Sequence, residues 1–443
     1  MSVSSCILLV LFLCVPGTAW SQSGPGVRQG KVEFHPRLNV SLGYDSNFWR
    51  ESDALTEANA PVNPVTVLKF GGGVGLRNRN PNRAGIELDF DAVGRYVSAE
   101  NADETVSPLD ESAAFDSASA KLKFALLPHK PVSVDLNADG RYTERPGSEM
   151  LKEDGYDRVV ATFGPDLRIR PGGRPESRAF EVRLGYRFNL ERSLNSLADL
   201  GGNRGDKNTH RLRFLTHWKF FPKTALFLDV SYAMVNYRQV VDLDASGNLV
   251  DSPNKDLNPL RAELGLEGLI TPRLSLILRG GYSNSFQEEG ASYSGPIGRF
   301  DLEYKLEPRL AIGAGYALKL GNDGFSNYYT LNRAEARTTV NLPARVSVQG
   351  SVGFDYYSYS YEGAPEWTYS LPQRVEPILR AKGAISWEAV TWLAIRASWE
   401  FENNRSNYYF CLGDDPGNCF AGDPIDLAEY TRHVVMLSVA TEY

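Results

Sequence analysis

The sequence lacks any segment that could serve as a membrane-spanning helix. Its one long apolar run, residues 6–15, is shorter than the roughly 20 residues that such a helix requires. A hydrophobic fraction of 42% and a mean hydropathy of -0.31 exclude a bundle of membrane helices. They do not exclude a transmembrane β-barrel, because only every second residue of its strands faces lipid.

Residues suited to catalysis or metal binding are also scarce. The 5 histidines are His35, His129, His210, His217 and His433. His210 and His217 lie on one predicted strand at positions of opposite parity, so they face opposite sides and cannot share a metal. No Ser or Asp constellation with a His indicates a hydrolase. Nothing in the sequence indicates a nucleic-acid-binding module. We therefore expect no enzyme, no metal, no cofactor and no nucleic-acid partner.

The N-terminal apolar run is typical of a secretory signal peptide, because it ends in small residues. We expect residues 1–21 to be removed and residues 22–30 to form a flexible tail. The remaining cysteines are then Cys411 and Cys419, which bracket a polar loop in an oxidising compartment. We expect a disulfide between them, with two free thiols as the alternative.

Methionine and cysteine are scarce at 4 each, whereas 22 Tyr, 21 Phe and 40 Gly favour strands and turns. The best-defined strand covers residues 178–192. Its even positions from 180 to 190 are apolar, namely Phe180, Val182, Leu184, Tyr186, Phe188 and Leu190. Its odd positions include Glu181, Arg183, Arg187, Asn189 and Glu191. Since side chains of a strand alternate between faces, one face is apolar and the other is charged.

The same alternation recurs along the chain and predicts about eighteen strands. The expected strands cover residues 31–45, 65–79, 84–98, 113–127, 131–145, 157–170, 178–192, 207–221, 224–238, 257–270, 273–287, 296–307, 309–320, 328–342, 344–359, 373–387, 391–405 and 428–443. Short connections alternate strictly with long polar ones, which a Greek-key sandwich does not require. The segments are also longer than the usual soluble strand of about 5–6 residues.

Aromatic residues mark both ends of these strands, as expected at two membrane interfaces. Toward the long loops lie Tyr142, Tyr186, Tyr232, Tyr282, Tyr356, Trp399 and Phe401, and toward the short turns lie Trp218, Phe220, Trp387 and Trp392. The sequence therefore predicts an all-β fold, a transmembrane antiparallel up-and-down barrel over residues 31–443. It predicts short periplasmic turns, long extracellular loops and insertion in the outer-membrane lipid of a Gram-negative bacterium.

One sector of the predicted inner wall is basic, although the whole chain carries a net charge of -7. Its pore-lining candidates are Arg158, Arg168, Arg170, Arg183, Arg187, Arg211, Arg213 and Lys219. Only Asp166, Glu181 and Glu191 oppose them in this sector. One hypothesis is that these cations guide an acidic polymer or small anions through the pore. The alternative is that inward charges solvate a wet lumen and pair with one another.

The first predicted strand ends in Tyr44, Asp45, Ser46 and Asn47. This element resembles the aromatic-Asp-x-Asn motif that closes the first strand in the "beta-barrel porin 2" group of outer-membrane porins. Members of that group accompany polysaccharide secretion systems, notably in myxobacteria. The barrel is also similar to alginate-type exporters with a basic lumen. The last strand, which ends on Tyr443, resembles the terminal strand by which outer-membrane barrels are recognised for insertion.

This resemblance implies an outer-membrane exit for a secreted polysaccharide, with a periplasmic polysaccharide-export protein as a partner. Two other functions fit the residues. One is a general or small-solute diffusion porin, and the other is a non-transporting structural or adhesive barrel whose acidic loops bind partners or divalent ions.

Overall fold

The structure is a computed structural model that describes residues 26–48, 64–78, 83–99, 113–144, 157–172, 179–194, 206–221, 223–238, 241–243, 249–251, 256–288, 292–321, 328–360, 374–406 and 429–443. The predicted signal peptide and the loop that contains Cys411 and Cys419 lie outside these residues. The disulfide therefore stays a prediction.

The described residues contain one antiparallel sheet of 19 strands, of which 18 form the wall of a barrel. The wall strands are β1 (Val32–Asp45), β2 (Val65–Asn78), β3 (Ala84–Ala99), β4 (Ala113–Leu126), β5 (Val132–Thr143), β6 (Asp157–Ile169), β7 (Phe180–Leu194), β8 (Lys207–Phe221), β9 (Thr224–Tyr237), β10 (Leu260–Thr271), β11 (Leu274–Asn284), β12 (Ser294–Glu307), β13 (Leu310–Gly321), β14 (Tyr329–Leu342), β15 (Val346–Tyr359), β16 (Val375–Val390), β17 (Leu393–Asn404) and β18 (Tyr430–Glu442). Every strand end lies within three residues of its predicted position.

Three short strands and one helical turn complete the described secondary structure. Val27–Gln29 pairs with the start of β1, so the end of the predicted tail joins the sheet. Val241–Leu243 and Leu249–Asp251 form a separate hairpin between β9 and β10. The 3-10 turn Pro343–Arg345 connects β14 to β15. No helix in the described residues is long and apolar enough to cross a membrane.

The sheet closes because β1 pairs with β18, from Arg37 opposite Glu442 to Asp45 opposite Val434. Each of the other wall strands pairs with its neighbours in sequence. This arrangement confirms the predicted closed antiparallel barrel of 18 strands. Closure gives the edge strands partners, which is what a sheet surrounded by hydrocarbon requires.

The outer face of the barrel exposes large apolar side chains. Leu184 is 45% exposed, Leu212 is 55% exposed and Leu264 is 62% exposed. Tyr232, Tyr282, Tyr356 and Trp399 are exposed toward one rim, and Trp218, Phe220, Trp387 and Trp392 toward the other. An apolar band between two aromatic girdles is the surface of an outer-membrane barrel, which agrees with the predicted location. We name the two rims the long-loop end and the short-turn end.

The motif that follows β1 joins the two strands at which the barrel closes. Asp45, which is 3% exposed, accepts hydrogen bonds from Arg432 of β18, with Nε at 2.9 Å from Oδ1. The same oxygen accepts the backbone N–H of Asn47 at 3.2 Å. Ser46 continues the pairing, since its N–H donates to the carbonyl of His433 at 2.9 Å. Asp45 and Asn47 therefore form a polar clasp across the junction of β1 and β18.

The assignment of faces predicts opposite results for two adjacent residues of β7. Leu184 lies at mid-strand on the outer face, between Leu167 and Phe214 in the register. Leu184→Arg should block assembly, because an arginine facing lipid at the midplane costs about 2–4 kcal/mol. The measurement is the heat-modifiable gel shift of outer-membrane fractions, in which a folded barrel migrates differently from the unfolded chain.

The matched control is Arg183→Leu, because Arg183 lies on the inner face and pairs with Glu181 at 2.9 Å. This variant should assemble, since the substituted side chain does not meet lipid. Normal assembly of Leu184→Arg together with failure of Arg183→Leu would reverse the two faces.

The clasp predicts a second effect on stability. Asp45→Ala and Arg432→Ala should each lower the free energy of unfolding by up to about 3 kcal/mol, because each leaves a buried charge without its partner. The double variant should lose less than the sum of the two. Urea unfolding in lipid vesicles, followed by tryptophan fluorescence, measures all three.

Ser41→Ala provides the comparison, because Ser41 also spans this junction through a neutral 2.8 Å hydrogen bond to Ser438. Loss of this hydrogen bond should lower the free energy of unfolding by about 1 kcal/mol. Strict additivity of the Asp45 and Arg432 variants would show that the clasp does not act as a pair.

Candidate pore lining

The inner face of the wall is polar, and most of its charged side chains form ion pairs. The region around Arg37 shows how the sequence makes room for them. Arg37 lies 3.0 Å from Asp89 and 3.3 Å from Asp91, two strands away. Gly73 lies between them on β2, and a Cβ there would be 2.1 Å from Oδ1 of Asp91. The glycine run of β2 therefore leaves space for a cross-strand ion pair on the inner face.

The structure places the eight predicted pore-lining residues on the inner face and gives six of them partners. Arg158 pairs with Glu191, Arg168 with Asp135, Arg187 with Asp166, Arg183 with Glu181, and Arg213 with Asp229, while Arg170 donates to the carbonyl of Pro128 and to Ser133. Arg211 and Lys219 are exposed, and neither has a partner among the described residues. Much of the predicted basic sector is therefore neutralised locally.

Arg211 lies in a cationic environment. Its cross-strand neighbour on β7 is Arg187, and the charges closest to it also include Arg213 and Arg261. A side chain that is exposed on the inner face of a closed barrel must contact solvent or solute. Arg211 is therefore available to an anion in the lumen.

Lys319 of β13 is a further exposed cation without a partner among the described residues, and the sequence analysis missed it. Arg333, Arg299 and Arg261 surround it, together with the carboxylate of Asp355. Asp355 is already bound by Arg333, at 2.6 Å from Nε to Oδ1, and by Arg380. The parity of β13 alone would have assigned Lys319 to the inner face. Only the structure shows that Asp355 is already bound by two arginines.

Unpartnered inner carboxylates occur in a different setting. Asp139 lies opposite Lys121 in the register of β4 and β5. Glu335 lies close to Arg333 and Arg337. Each of these carboxylates thus has cations as neighbours. The neighbours of Arg211 and Lys319 are also mainly cations, so their charges are not neutralised. The local excess of positive charge is therefore on the wall between β8 and β14, toward the long-loop end.

The inner wall also contains an open cavity of about 600 Å³ toward the short-turn end. Lys219, Glu267, Glu303 and Arg337 line it, with Ile277 as an apolar contact. Glu267 binds both Arg279, at 3.2 Å, and His217, at 3.3 Å. A mixed-charge cavity of this size accommodates small polar solutes and water.

The histidines are distributed as the sequence predicts. His210 contacts Phe188 and Tyr186 on the outer face, whereas His217 faces Glu267 on the inner face. In the part of the chain that the structure describes, no cluster of His, Cys, Asp or Glu side chains is arranged to hold a metal ion.

No family model matches the sequence, and no curated protein matches it. The chain is similar to several solved structures. OccK5 (OpdH) of Pseudomonas aeruginosa has 11% identity and a TM-score of 0.46, over 93% of this chain and 98% of that one. OpdK of the same organism, solved with vanillate, has 10% identity and a TM-score of 0.49, over 93% and 99%. The siderophore receptor PirA of Acinetobacter baumannii has 8% identity and a TM-score of 0.46, over 94% and 81%.

Proposed function

We propose that this barrel is a diffusion channel for small solutes with a preference for anions. The observation that carries the proposal is that Arg211 and Lys319, on the inner face between β8 and β14, are exposed and have no ion-pair partner among the described residues. Eighteen strands spaced about 4.8 Å apart and tilted by about 40° give a backbone diameter of roughly 35 Å. Barrels of this size commonly hold an aqueous lumen.

The pairing of the other charges favours this proposal over a uniformly basic pore. An ion pair on the wall has a short-range field, because the two charges cancel beyond a few ångströms. An unpaired guanidinium or ammonium keeps its full charge and acts over about one Debye length, roughly 8 Å at physiological salt. A few free cations can therefore set the selectivity of a wall that is otherwise almost neutral.

The polysaccharide exit that the family resemblance implies has less support. The motif behind that resemblance contains Asp45 and Asn47, which contact Arg432 and the backbone at the junction of β1 and β18. Tyr44 is on the outer face and 45% exposed. The motif thus bears on how the barrel closes rather than on what crosses it. Loss of surface polysaccharide after deletion of the gene would favour the exit, and with it a periplasmic export partner.

The channel proposal predicts that Arg211→Gln combined with Lys319→Gln lowers the anion preference. Removing both free cations should reduce the ratio of chloride to potassium permeability by a factor of about two to five. The effect should shrink in 1 M salt, where the Debye length is about 3 Å. The reversal potential of purified protein in planar bilayers under a KCl gradient measures this ratio.

A control is Arg309→Gln, which removes one charge that is exposed in the turn between β12 and β13. This variant should keep the wild-type ratio. A wild-type channel without anion preference, or a double variant with unchanged selectivity, would contradict the proposal. Complete absence of conductance would instead indicate the non-transporting barrel.

A further inference from the structure

A cluster of tyrosine rings lies on the inner face at the long-loop end of β14 and β15. The ring centroids of Tyr329 and Tyr357 are 5.4 Å apart, and those of Tyr329 and Tyr359 are 5.5 Å apart. Tyr357 and Tyr359 are nearly parallel, with an interplanar angle of 18° and centroids 6.3 Å apart. We name these three residues the tyrosine platform. Unlike the outer tyrosines, they do not belong to an aromatic girdle, because their parity directs them away from lipid.

The ring of Tyr329 lies against the wall of the barrel. A Cβ on Gly321, the cross-strand neighbour of Tyr329, would be 2.2 Å from Cζ of that ring. The ring of Tyr329 therefore covers the backbone of Gly321. A glycine at this position is what permits the flat orientation.

Tyr359 is the fixed base of the platform. It is 7% exposed, and the guanidinium of Arg374 lies 4.1 Å from its ring centroid. Its hydroxyl donates to Oε2 of Glu376 at 2.9 Å. Tyr329 and Tyr357 are only half-buried, so they are the members that a ligand can reach.

A free cation lies in the same row of the sheet. Tyr357 is opposite Leu331, and Leu331 is opposite Lys319. Two strand spacings of about 4.8 Å separate the backbone of Tyr357 from that of Lys319. The exposed lysine side chain is shorter than this distance and covers part of it, and a ring stacked on Tyr357 can extend a substituent toward its ammonium group.

We propose that the tyrosine platform and Lys319 bind an acidic sugar, a pyranose ring that carries a carboxylate. The C–H groups on the face of a pyranose are weakly positive and stack on the negative face of an aromatic ring. Its hydroxyl groups point outward, away from the stacked face of the ring. Its carboxylate is the natural partner of Lys319.

This site deepens the proposed channel function and rests on a conducting lumen. Its test is current blockade in planar bilayers, with digalacturonate added on the long-loop side of the purified full chain. Tyr357→Ala and Tyr329→Ala should each shorten the dwell time of the blocks by roughly tenfold, because each removes one stacking surface. Tyr357→Phe should retain most of the dwell time, since the ring is kept.

The matched control is Tyr356→Ala, which removes the neighbouring ring of β15 from the outer face and should keep the wild-type dwell time. Lys319→Gln should shorten digalacturonate blocks more than blocks by the neutral disaccharide maltose. Heat-modifiable gel shifts confirm that every variant is folded before it is measured.

Three results would overturn the proposal. These are equal blockade by benzoate and digalacturonate, no effect of Tyr357→Ala and Tyr329→Ala, or an equal effect of Tyr356→Ala. Failure of the channel proposal is distinguishable, because it appears as absent conductance or absent anion preference before any sugar is added. Conductance with anion preference but no sugar blockade would overturn this inference alone.

Discussion

The need to pair every backbone polar group away from water governs this structure. A strand surrounded by hydrocarbon has no solvent to satisfy its edge, so the sheet must return to its first strand. The clasp of Asp45, Asn47 and Arg432 lies where that return occurs. Here the pairing joins residues that are 387 positions apart in the chain. The strongest contacts of the clasp are ionic, which suits a junction whose two strands have no connecting turn to hold them together.

The two-residue period that assigns apolar side chains to the outside also assigns charged side chains to the inside. Charged side chains are therefore crowded on the inner face, and most of them form ion pairs with residues of other strands. Asp355, for example, accepts from both Arg333 and Arg380. Partial burial makes such pairs hard to break, since an unpartnered charge in a partly dry wall is costly. Most inner charges thus contribute to the order of the wall, and few are left to act on a solute.

The sequence was sufficient for the wall and insufficient for the site, for a physical reason. Strand position and facing depend on local periodicity, which is why Arg183 and Leu184 could be assigned to opposite faces before the structure was known. Ion pairing depends on register between strands and on side-chain reach. Arg187 and Arg211 look equivalent in the sequence, yet Asp166 neutralises the first while the second pairs with no carboxylate in the described part of the chain. The basic sector predicted from the sequence therefore contains more cations than the few that lack an ion-pair partner among the described residues.

The tyrosine platform was not predicted from the sequence for a similar reason, because it depends on contacts between strands. Aromatic residues near strand ends are expected as a membrane girdle, and Tyr356 meets that expectation. Tyr357 differs from it by one position and faces the lumen instead. Because an inward ring cannot anchor the barrel in lipid, its presence requires another explanation. Lys319 lies two strands away in the same row and has no partner among the residues that the structure describes, so ligand contact is the role that uses both side chains.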